Sequence, residues 1–361
     1  MAKKRNHYIP RVLLARFASR RDGKKAWVWQ LSQGKEPTEV SVRDAGVATY
    51  FYGRPETRVE ERLSQQEARI TTVLDAIEAG ANPANHDREL RHWLHTLTAR
   101  TRHLRDGFSD AATALIEELV NSADSESAQS AGRAYIDANF DELMLETLAE
   151  FPEHQKHFFI DALRRDPSYR AFLRGYMTSL VSQHNLGKLV KDFLSRVQEL
   201  ADVDELGKDG QVRGLSKLLN ARDRESPISV DSWHLIKADS TELVLGDCCT
   251  FVIDKSGDAY PLLAASSEDR REIYVPLSKR CTAVGTRSST TPSLTAPEIN
   301  LAAAKVSRDT LFAGSLDPTI LQLSKTIGTS SSLLGRESTS GLVEEVWEEM
   351  RRKPRGNKRD D

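Results

Sequence analysis

The feature that most constrains the fold is an abrupt change of residue pattern near residue 230. Between about residues 56 and 200, apolar residues recur at helical spacing among many charges, as in Val59, Leu63, Ile70, Val73 and Leu74. Between about residues 230 and 286, β-branched and aromatic residues alternate with turn signals such as Lys-Ser-Gly-Asp. This pattern predicts an α+β protein with a mostly helical middle and a C-terminal antiparallel β region.

The two ends of the chain complete this architecture. Pro10 suits the first turn of a short helix that places Ile9, Leu13 and Phe17 on one face, and the following KAWVWQLS is typical of a strand. After the β region, EINLAAAKVSRDTLFAG predicts a closing helix. We therefore expect one α+β domain over residues 1–320. Residues 321–361 are expected to be a loosely structured basic tail, in which LVEEVWEEM is the helical part.

Composition narrows the class of protein. The 361 residues are 39% hydrophobic, enough to bury a core, and 51 Lys and Arg nearly balance 53 Asp and Glu. The three cysteines have neither a disulfide nor a zinc spacing, which favours a reducing cytoplasm. No apolar run is long enough to cross a membrane, so no membrane partner is expected. The glycines form no phosphate-binding or dinucleotide-binding loop.

A basic N-terminal stretch carries the first candidate site. Residues 3–25 contain nine Lys or Arg against one Asp, and within them lies HYIPR. His7 is a candidate general base or metal ligand, Tyr8 an orienting hydroxyl and Arg11 a cation for an anionic group. The competing hypothesis is that His7 and Tyr8 pack the terminal segment onto the body of the protein, with Arg11 in a surface ion pair.

A second candidate site lies on a helix predicted from about Asp87 to Arg105. Its spacing places Arg91, His95 and Arg102 on one face, and His92 and His103 on a neighbouring one. Such a cationic stripe can hold a phosphate or carboxylate, because arginine binds these groups with paired hydrogen bonds. A metal site is less favoured, since the spacing of zinc proteases is absent. A solvated helix face is the alternative for Arg91, His92 and His103.

Asp247 is the third candidate, because a carboxylate at the end of a strand can bind a metal or orient a histidine. The adjacent Cys248 and Cys249 are interpreted as small strand residues. Asn300 is interpreted as the N-cap of the closing helix.

These segments together resemble a known family. In order, HYIPRVLLARFA, LTARTRHLRD, SWHLIKADSTELVLGDC, IYVPLSKRCTAVG and EINLAAAKVSRDTLFA are similar to the successive motifs of the prokaryotic domain of unknown function 4238. The resemblance covers most of residues 6–315 and implies that Arg100 is the arginine of the family's Arg-Thr. It also implies that Asp247 belongs to the family's Ser-Asp-Asn-Pro element, whose Asn and Pro are replaced here. The family carries no established activity.

Two functional hypotheses follow. The first is a cytoplasmic hydrolase or nuclease-like enzyme of microbial defence that acts on a nucleic acid or nucleotide. In it, His7, Tyr8 and Asp247 are catalytic, and the substrate is bound by Arg11, His95, Arg100 and Arg102. A divalent metal fits this chemistry, with its identity open. This first hypothesis requires His7 and Asp247 to lie within about one side-chain contact of each other. The second is a nucleic-acid- or protein-binding module in which the polar motifs serve structure.

Overall fold

A computed structural model describes residues 5–52, 59–123, 125–149, 152–180, 203–220, 230–264, 268–287, 290–333 and 336–352. The predicted α+β class is confirmed, with antiparallel sheets, a helical middle and a C-terminal β region. The chain divides into two compact units, where we had expected one domain with a tail. Residues 1–109 and 204–334 form the first unit, and residues 110–203 and 335–361 form the second.

The strands of the first unit form three antiparallel groups. Strand β1 pairs with β5, a five-stranded sheet has the order β6-β11-β10-β8-β9, and another has the order β2-β3-β12-β7 with β4 beside β3. The strand bounds are β1 Arg5–His7, β2 Arg20–Asp22, β3 Lys25–Leu31, β4 Thr38–Ser41, β5 Val47–Thr49, β6 Ser232–Lys237, β7 Leu245–Gly246, β8 Phe251–Asp254, β9 Ala259–Pro261, β10 Arg270–Ser278, β11 Cys281–Thr286 and β12 Leu311–Ala313.

The helices occupy both ends of the chain and its middle. Their bounds are α1 Arg11–Leu14, α2 Val59–Glu78, α3 Asp87–Arg100, α4 Arg102–Ser122, α5 Glu126–Ala149, α6 Glu153–Arg165, α7 Pro167–Leu180, α8 Val203–Asn220, α9 Ala296–Val306, α10 Pro318–Leu323 and α11 Arg336–Arg352. Within the ranges described, none of them combines the length and the apolar character that a membrane crossing requires.

The helix predicted from Asp87 to Arg105 is two helices, because the chain breaks at Thr101. Thr101 has extended backbone angles, φ −69° and ψ 150°. Its hydroxyl accepts a hydrogen bond from the Leu104 N–H at 3.2 Å, which caps the start of α4. The prediction that Arg102 shares a helix face with Arg91 and His95 was therefore wrong. The same break separates His103 from His92.

The closing helix also differs from its prediction. Thr295 caps α9 in a capping box with Glu298, whose carboxylate accepts from the Thr295 N–H at 2.8 Å. Asn300 lies inside the helix and bonds to another segment instead, accepting from Val244 N at 2.9 Å and donating to Glu242 O at 2.9 Å. The N-cap interpretation of Asn300 was wrong.

The segment after α9 is ordered where a loose tail was expected. Asp317 caps α10 by accepting from the Thr319 and Ile320 N–H groups, both at 2.9 Å. Leu323 and Ile327 are buried in the core of the first unit. In the second unit, α11 contains the predicted LVEEVWEEM helix and buries Val343 and Trp347 against Ala128, Ala131, Leu115 and Leu119. The expectation of a loose tail therefore fails over the part of residues 321–361 that is described.

The core of the first unit joins the N-terminal segment to the sheets. Its buried apolar side chains include Ile9, Leu13 and Phe17 from the N-terminal helix and the helical turn after it. These are the three residues that the helical spacing placed on one face. The N-terminal motif is thereby held against the body of the unit.

Candidate functional site

The backbone of the N-terminal motif is fixed by a buried arginine. The His7 carbonyl accepts hydrogen bonds from Arg100 Nη2 at 2.7 Å and from the Tyr52 hydroxyl at 2.8 Å. Arg100 Nε donates to the Tyr52 oxygen at 3.1 Å, and Arg100 Nη1 donates to Glu67 at 2.7 Å. Because the Arg100 side chain is only 3% exposed, its role here is to hold β1 against α2 and α3.

A glycine completes this attachment. The Tyr8 N–H donates to Gly46 O at 2.9 Å, and Gly46 has φ +58°. A Cβ atom at this position would lie 3.1 Å from the Ile9 Cβ. Glycine therefore suits both the left-handed backbone and the close approach of the motif.

The side chain of His7 remains available for chemistry. Its Nδ1 lies 3.1 Å from Ala45 O, and because a carbonyl can only accept, Nδ1 carries the proton and Nε2 carries a lone pair. The imidazole is half-buried, and its Nε2 bonds to none of the described residues. Burial, followed by the charges of Arg11 and Arg100, lowers the pKa of His7 to about 4. At neutral pH it is an uncharged acceptor in a positive environment.

Arg11 supplies an exposed cation at this site. It lies at the start of α1 and close enough to His7 to affect its pKa, and its guanidinium makes no ion pair with any described residue. Other arginines of the basic N-terminal stretch are engaged. Arg5 pairs with Asp44 at 2.8 Å, Arg16 with Glu78 at 2.6 Å, and Arg20 with Glu39 at 3.0 Å.

Tyr8 points from this motif toward Asp247. Its ring packs on Phe51 with a centroid distance of 5.5 Å. Burial and the nearby charge of Asp247 raise the pKa of Tyr8 to about 12, so the hydroxyl is protonated at neutral pH. The described residues offer this hydroxyl no hydrogen-bond partner. The motif therefore faces Asp247 through Tyr8, while the charges that act on His7 are those of arginines.

Asp247 is occupied by backbone groups. Its carboxylate accepts from Arg308 N at 2.8 Å, Asp309 N at 2.8 Å and Thr310 N at 3.0 Å. Asp247 is 5% exposed. This arrangement fixes the turn between α9 and β12, and both carboxylate oxygens are used in doing so.

Two small cavities border the neighbouring Cys248. One, of about 20 Å³, is also lined by His103, Thr250 and Leu262, and the other, of about 10 Å³, is mainly apolar. Each has room for roughly one water molecule. His103 Nε2 donates to Ser331 O at 2.6 Å, and its buried Nδ1 has no partner among the described residues, so a water is the ligand that this space suits.

The remaining predicted residues lie apart from His7. Arg102 is 54% exposed and pairs with Asp106 at 3.0 Å, one turn along α4. His95 is half-buried near Arg91, His92 and Arg270. The structure thus brings together His7, Arg11 and Arg100, and it brings Tyr8 toward Asp247 and Arg102. Among the residues it describes, no group of three or more His, Cys, Asp or Glu is arranged to hold a metal.

Sequence reasoning missed Tyr52 and Glu67, which complete the Arg100 network. Neither lies in a distinctive motif, although Glu67 is one turn after Leu63 and therefore lies beside the apolar face of the helix that the spacing predicts. Both lie far along the chain from their partners, at separations of 48 and 33 residues from Arg100. Their part in the site depends on tertiary packing.

The fold and this site define an α+β protein whose N-terminal strand is held by a buried arginine and presents a neutral histidine beside an exposed arginine. The chain belongs to the family described as protein of unknown function (DUF4238), whose model matches residues 5–203. This confirms the family that the motifs indicated, while the three motifs after residue 203, including the one that contains Asp247, lie outside the match. No curated protein and no solved structure is significantly similar to the chain.

Proposed function

We propose that this protein is a hydrolase acting on a phosphate-bearing substrate, a nucleic acid or nucleotide, with His7 as the proton-transfer residue and Arg11 as a phosphate ligand. The observation that carries the proposal is the state of His7. Its imidazole is neutral, oriented by Ala45 O, half-open and surrounded by cationic charge. These are the properties of a general base beside an anion-binding group.

The positive surroundings of His7 also give the site a way to respond to substrate. A bound phosphate group would offset the charges of Arg11 and Arg100 that lower the pKa of His7. The imidazole would then become more basic when substrate is present. Tyr8, whose hydroxyl bonds to none of the described residues, is the second residue that the proposal places in contact with substrate. Asp247 and Arg100 are assigned to the fold, because their polar atoms are already engaged.

The test is hydrolysis of single-stranded DNA, RNA and nucleotides, with and without added Mg²⁺ or Mn²⁺. We expect His7→Ala to lower kcat by about 100-fold or more, the usual effect of losing a general base. Arg11→Ala should lower kcat/KM by about tenfold or more through loss of a charged hydrogen bond. Arg213→Ala is the matched control, because Arg213 is also exposed. Equal activity of wild type and His7→Ala would refute the proposal.

The same proposal includes a cytoplasmic location, in line with the three cysteines being free thiols. A role in microbial defence rests on the proposed substrate class.

The competing function is a binding module in which the motifs are structural. The engagement of Arg100 and Asp247 favours this alternative. It predicts nucleic-acid binding that depends steeply on salt and is unchanged in His7→Ala.

A further inference from the structure

Helix α7, in the second unit, exposes the face that its residue spacing would place in a core. Uncharged residues recur on this face at positions i, i+3, i+4, i+7 and i+8, which is the pattern of a buried stripe. They are Ser168, Ala171, Phe172, Gly175 and Tyr176, and all five are exposed. Phe172 is 66% exposed and Tyr176 is 55% exposed. A face of the kind that usually packs against a neighbour therefore meets solvent.

The arginines of α7 lie on its other side. Arg170 forms an ion pair with Asp141 of α5, and Arg174 approaches Asp137 of α5 to 4.0 Å. The Arg174 guanidinium also lies 5.3 Å from the ring centre of Phe140. These contacts place α5 against the charged side of the helix, so the exposed rings point away from α5. In a chain that is 29% charged, an exposed aromatic face without charge indicates a binding surface.

The neighbouring helix α6 shows the usual arrangement. Its Asp161 and Arg165 form an ion pair at 3.2 Å, with side chains that are 56% and 81% exposed. The exposed side of α6 thus carries charge, and that of α7 does not. The uncharged surface is a property of α7 and does not extend over the adjoining helix.

Gly175 leaves a hollow beside the two rings. A Cβ atom at this position would meet no other atom within 4 Å, so the packing of the chain does not require a glycine. The backbone here is helical, so no unusual conformation requires one either. Because glycine destabilises the interior of a helix relative to alanine, its presence suits a close approach from outside.

We propose that this face of α7 binds the same face of a second copy of the chain, with the two helices antiparallel about a two-fold axis. With the axis between residues 173 and 174, Phe172 lies opposite Gly175 of the partner subunit. Tyr176 then lies opposite Ala171 of the partner subunit. Symmetry repeats both pairs, so that each of the four rings meets a small residue. Shape therefore makes the face complementary to itself.

Charge favours the same occupant. A neutral face brings no like charges together when it meets its own copy, and antiparallel helices place their dipoles in opposite directions. A nucleic acid is not favoured, because its phosphates require cations, and the five residues of the face are uncharged. The contact involves the second unit alone, so the proposal does not depend on the proposed hydrolase activity.

The exposed area sets the strength of the contact. An aromatic side chain offers roughly 150–250 Å² for burial, so the exposed parts of the four rings add up to roughly 400–600 Å². Stable complexes bury about 1,200–2,000 Å². We therefore expect a weak, reversible dimer with a Kd on the order of 10–100 µM.

The test is sedimentation equilibrium of the full chain from about 1 to 300 µM, which spans the expected Kd. The average mass should rise with concentration from the 40.4 kDa of one chain toward twice that value. Phe172→Ser combined with Tyr176→Ser should raise Kd by about tenfold or more, because it removes the four rings from the contact. Leu145→Ser combined with Leu342→Ser is the matched control. These leucines are 57% and 39% exposed on α5 and α11, and their loss should leave Kd unchanged.

Gly175→Leu separates an interlocking contact from nonspecific association. The added side chain enters open space in the single chain, so the unfolding temperature should not fall. In the dimer it takes the place of the Phe172 ring of the partner subunit, and it should raise Kd by about tenfold or more. Association driven only by apolar surface would instead become stronger.

Three results would overturn the proposal. They are a chain that stays monomeric at every concentration, a dimer that survives in the serine pair at positions 172 and 176, and a dimer that Gly175→Leu strengthens. For a monomeric chain, flotation with phosphatidylcholine vesicles tests a lipid surface as the occupant. Vesicle binding that the same serine pair abolishes would assign the face to lipid.

Discussion

At the scale of single residues, His7 serves the fold and the site with different atoms. Its carbonyl accepts from Arg100 and Tyr52, and its Nδ1 is held by Ala45. Its Nε2 bonds to none of the described residues and is subject to the charges of Arg11 and Arg100. Because a side-chain substitution leaves the carbonyl in place, the two roles can be separated by mutation.

The role of the His7 carbonyl can be tested by substituting Tyr52. Tyr52→Phe removes a buried hydroxyl that donates to His7 O and accepts from Arg100 Nε. Leaving these groups unsatisfied should lower the free energy of unfolding by about 1–3 kcal/mol, measured by urea denaturation. Tyr260→Phe is the control, because the Tyr260 hydroxyl bonds to none of the described residues, and it should change stability little. Equal effects of the two substitutions would argue against the Arg100 network.

Asp247 gives a second prediction at this scale. Asp247→Asn replaces one of the oxygens that accept from the N–H groups of residues 308–310 by an NH₂ group. The free energy of unfolding should fall by about 1–3 kcal/mol, with hydrolysis retained in the folded protein. Asp239→Asn, at an exposed position, should be neutral. Loss of hydrolysis without loss of stability would return Asp247 to a catalytic role.

The sequence allowed the candidate residues to be named, but not their geometry. His7, Tyr8, Arg11, Arg100 and Asp247 were identified from motifs. The contact between Arg100 and His7 O joins residues 93 positions apart, and no local pattern encodes such a contact. Whether a given arginine meets substrate or backbone depends on burial. Arg11 and Arg100 look alike in sequence, yet one is exposed and the other is not.

At the scale of secondary-structure elements, Thr101 determines where the His95 and Arg102 side chains point. A continuous helix would align them, and the cap at Thr101 separates them into α3 and α4. Thr101→Ala should lower the free energy of unfolding by about 1 kcal/mol through loss of the N-cap. Thr319→Ala, at an exposed position in the first turn of α10, is the control and should have little effect. No difference between the two would mean that the cap contributes little.

The long helices and the β-rich region could be predicted, because their periodicity extends over many residues. The bounds Val59–Glu78 and Lys25–Leu31 lie close to the predicted segments. Short elements could not be predicted from periodicity. Strand β12 spans three residues, Leu311–Ala313, and it forms by pairing with β3 from the other end of the chain. The capping box of Thr295 and Glu298 was a local signal that sequence reasoning overlooked in favour of Asn300.

At the scale of the whole molecule, the lowered pKa values of two histidines determine how the free energy of unfolding depends on pH. His7 and His95 stay neutral in the folded protein down to about pH 4, whereas an ordinary histidine gains a proton near pH 6.5. Below that pH the unfolded chain binds more protons, so the free energy of unfolding falls as pH falls. Each histidine contributes up to about 1.4 kcal/mol per pH unit.

The pKa shift of Asp247 has the opposite effect on the free energy of unfolding as the pH falls. Burial raises the pKa of Asp247 from 3.8 to about 6, so between these values the folded protein binds the additional proton. The two histidines together outweigh Asp247, so stability should still fall as the pH is lowered from about 6.5 toward 4, but less steeply than the histidines alone would cause. Urea denaturation over this range, with wild type and His7→Gln combined with His95→Gln, checks the prediction. The double variant should show the shallower slope, and identical slopes would contradict the assigned pKa shifts.

The most direct test of the role of His7 compares His7→Ala with Tyr52→Phe for two properties, thermal unfolding and hydrolysis of phosphate-bearing substrates at a temperature where both remain folded. We expect His7→Ala to abolish hydrolysis with little change in the unfolding temperature. We expect Tyr52→Phe to lower the unfolding temperature and to retain hydrolysis. Loss of stability in His7→Ala, with no hydrolysis by any of the proteins, would contradict this role and make His7 a structural residue.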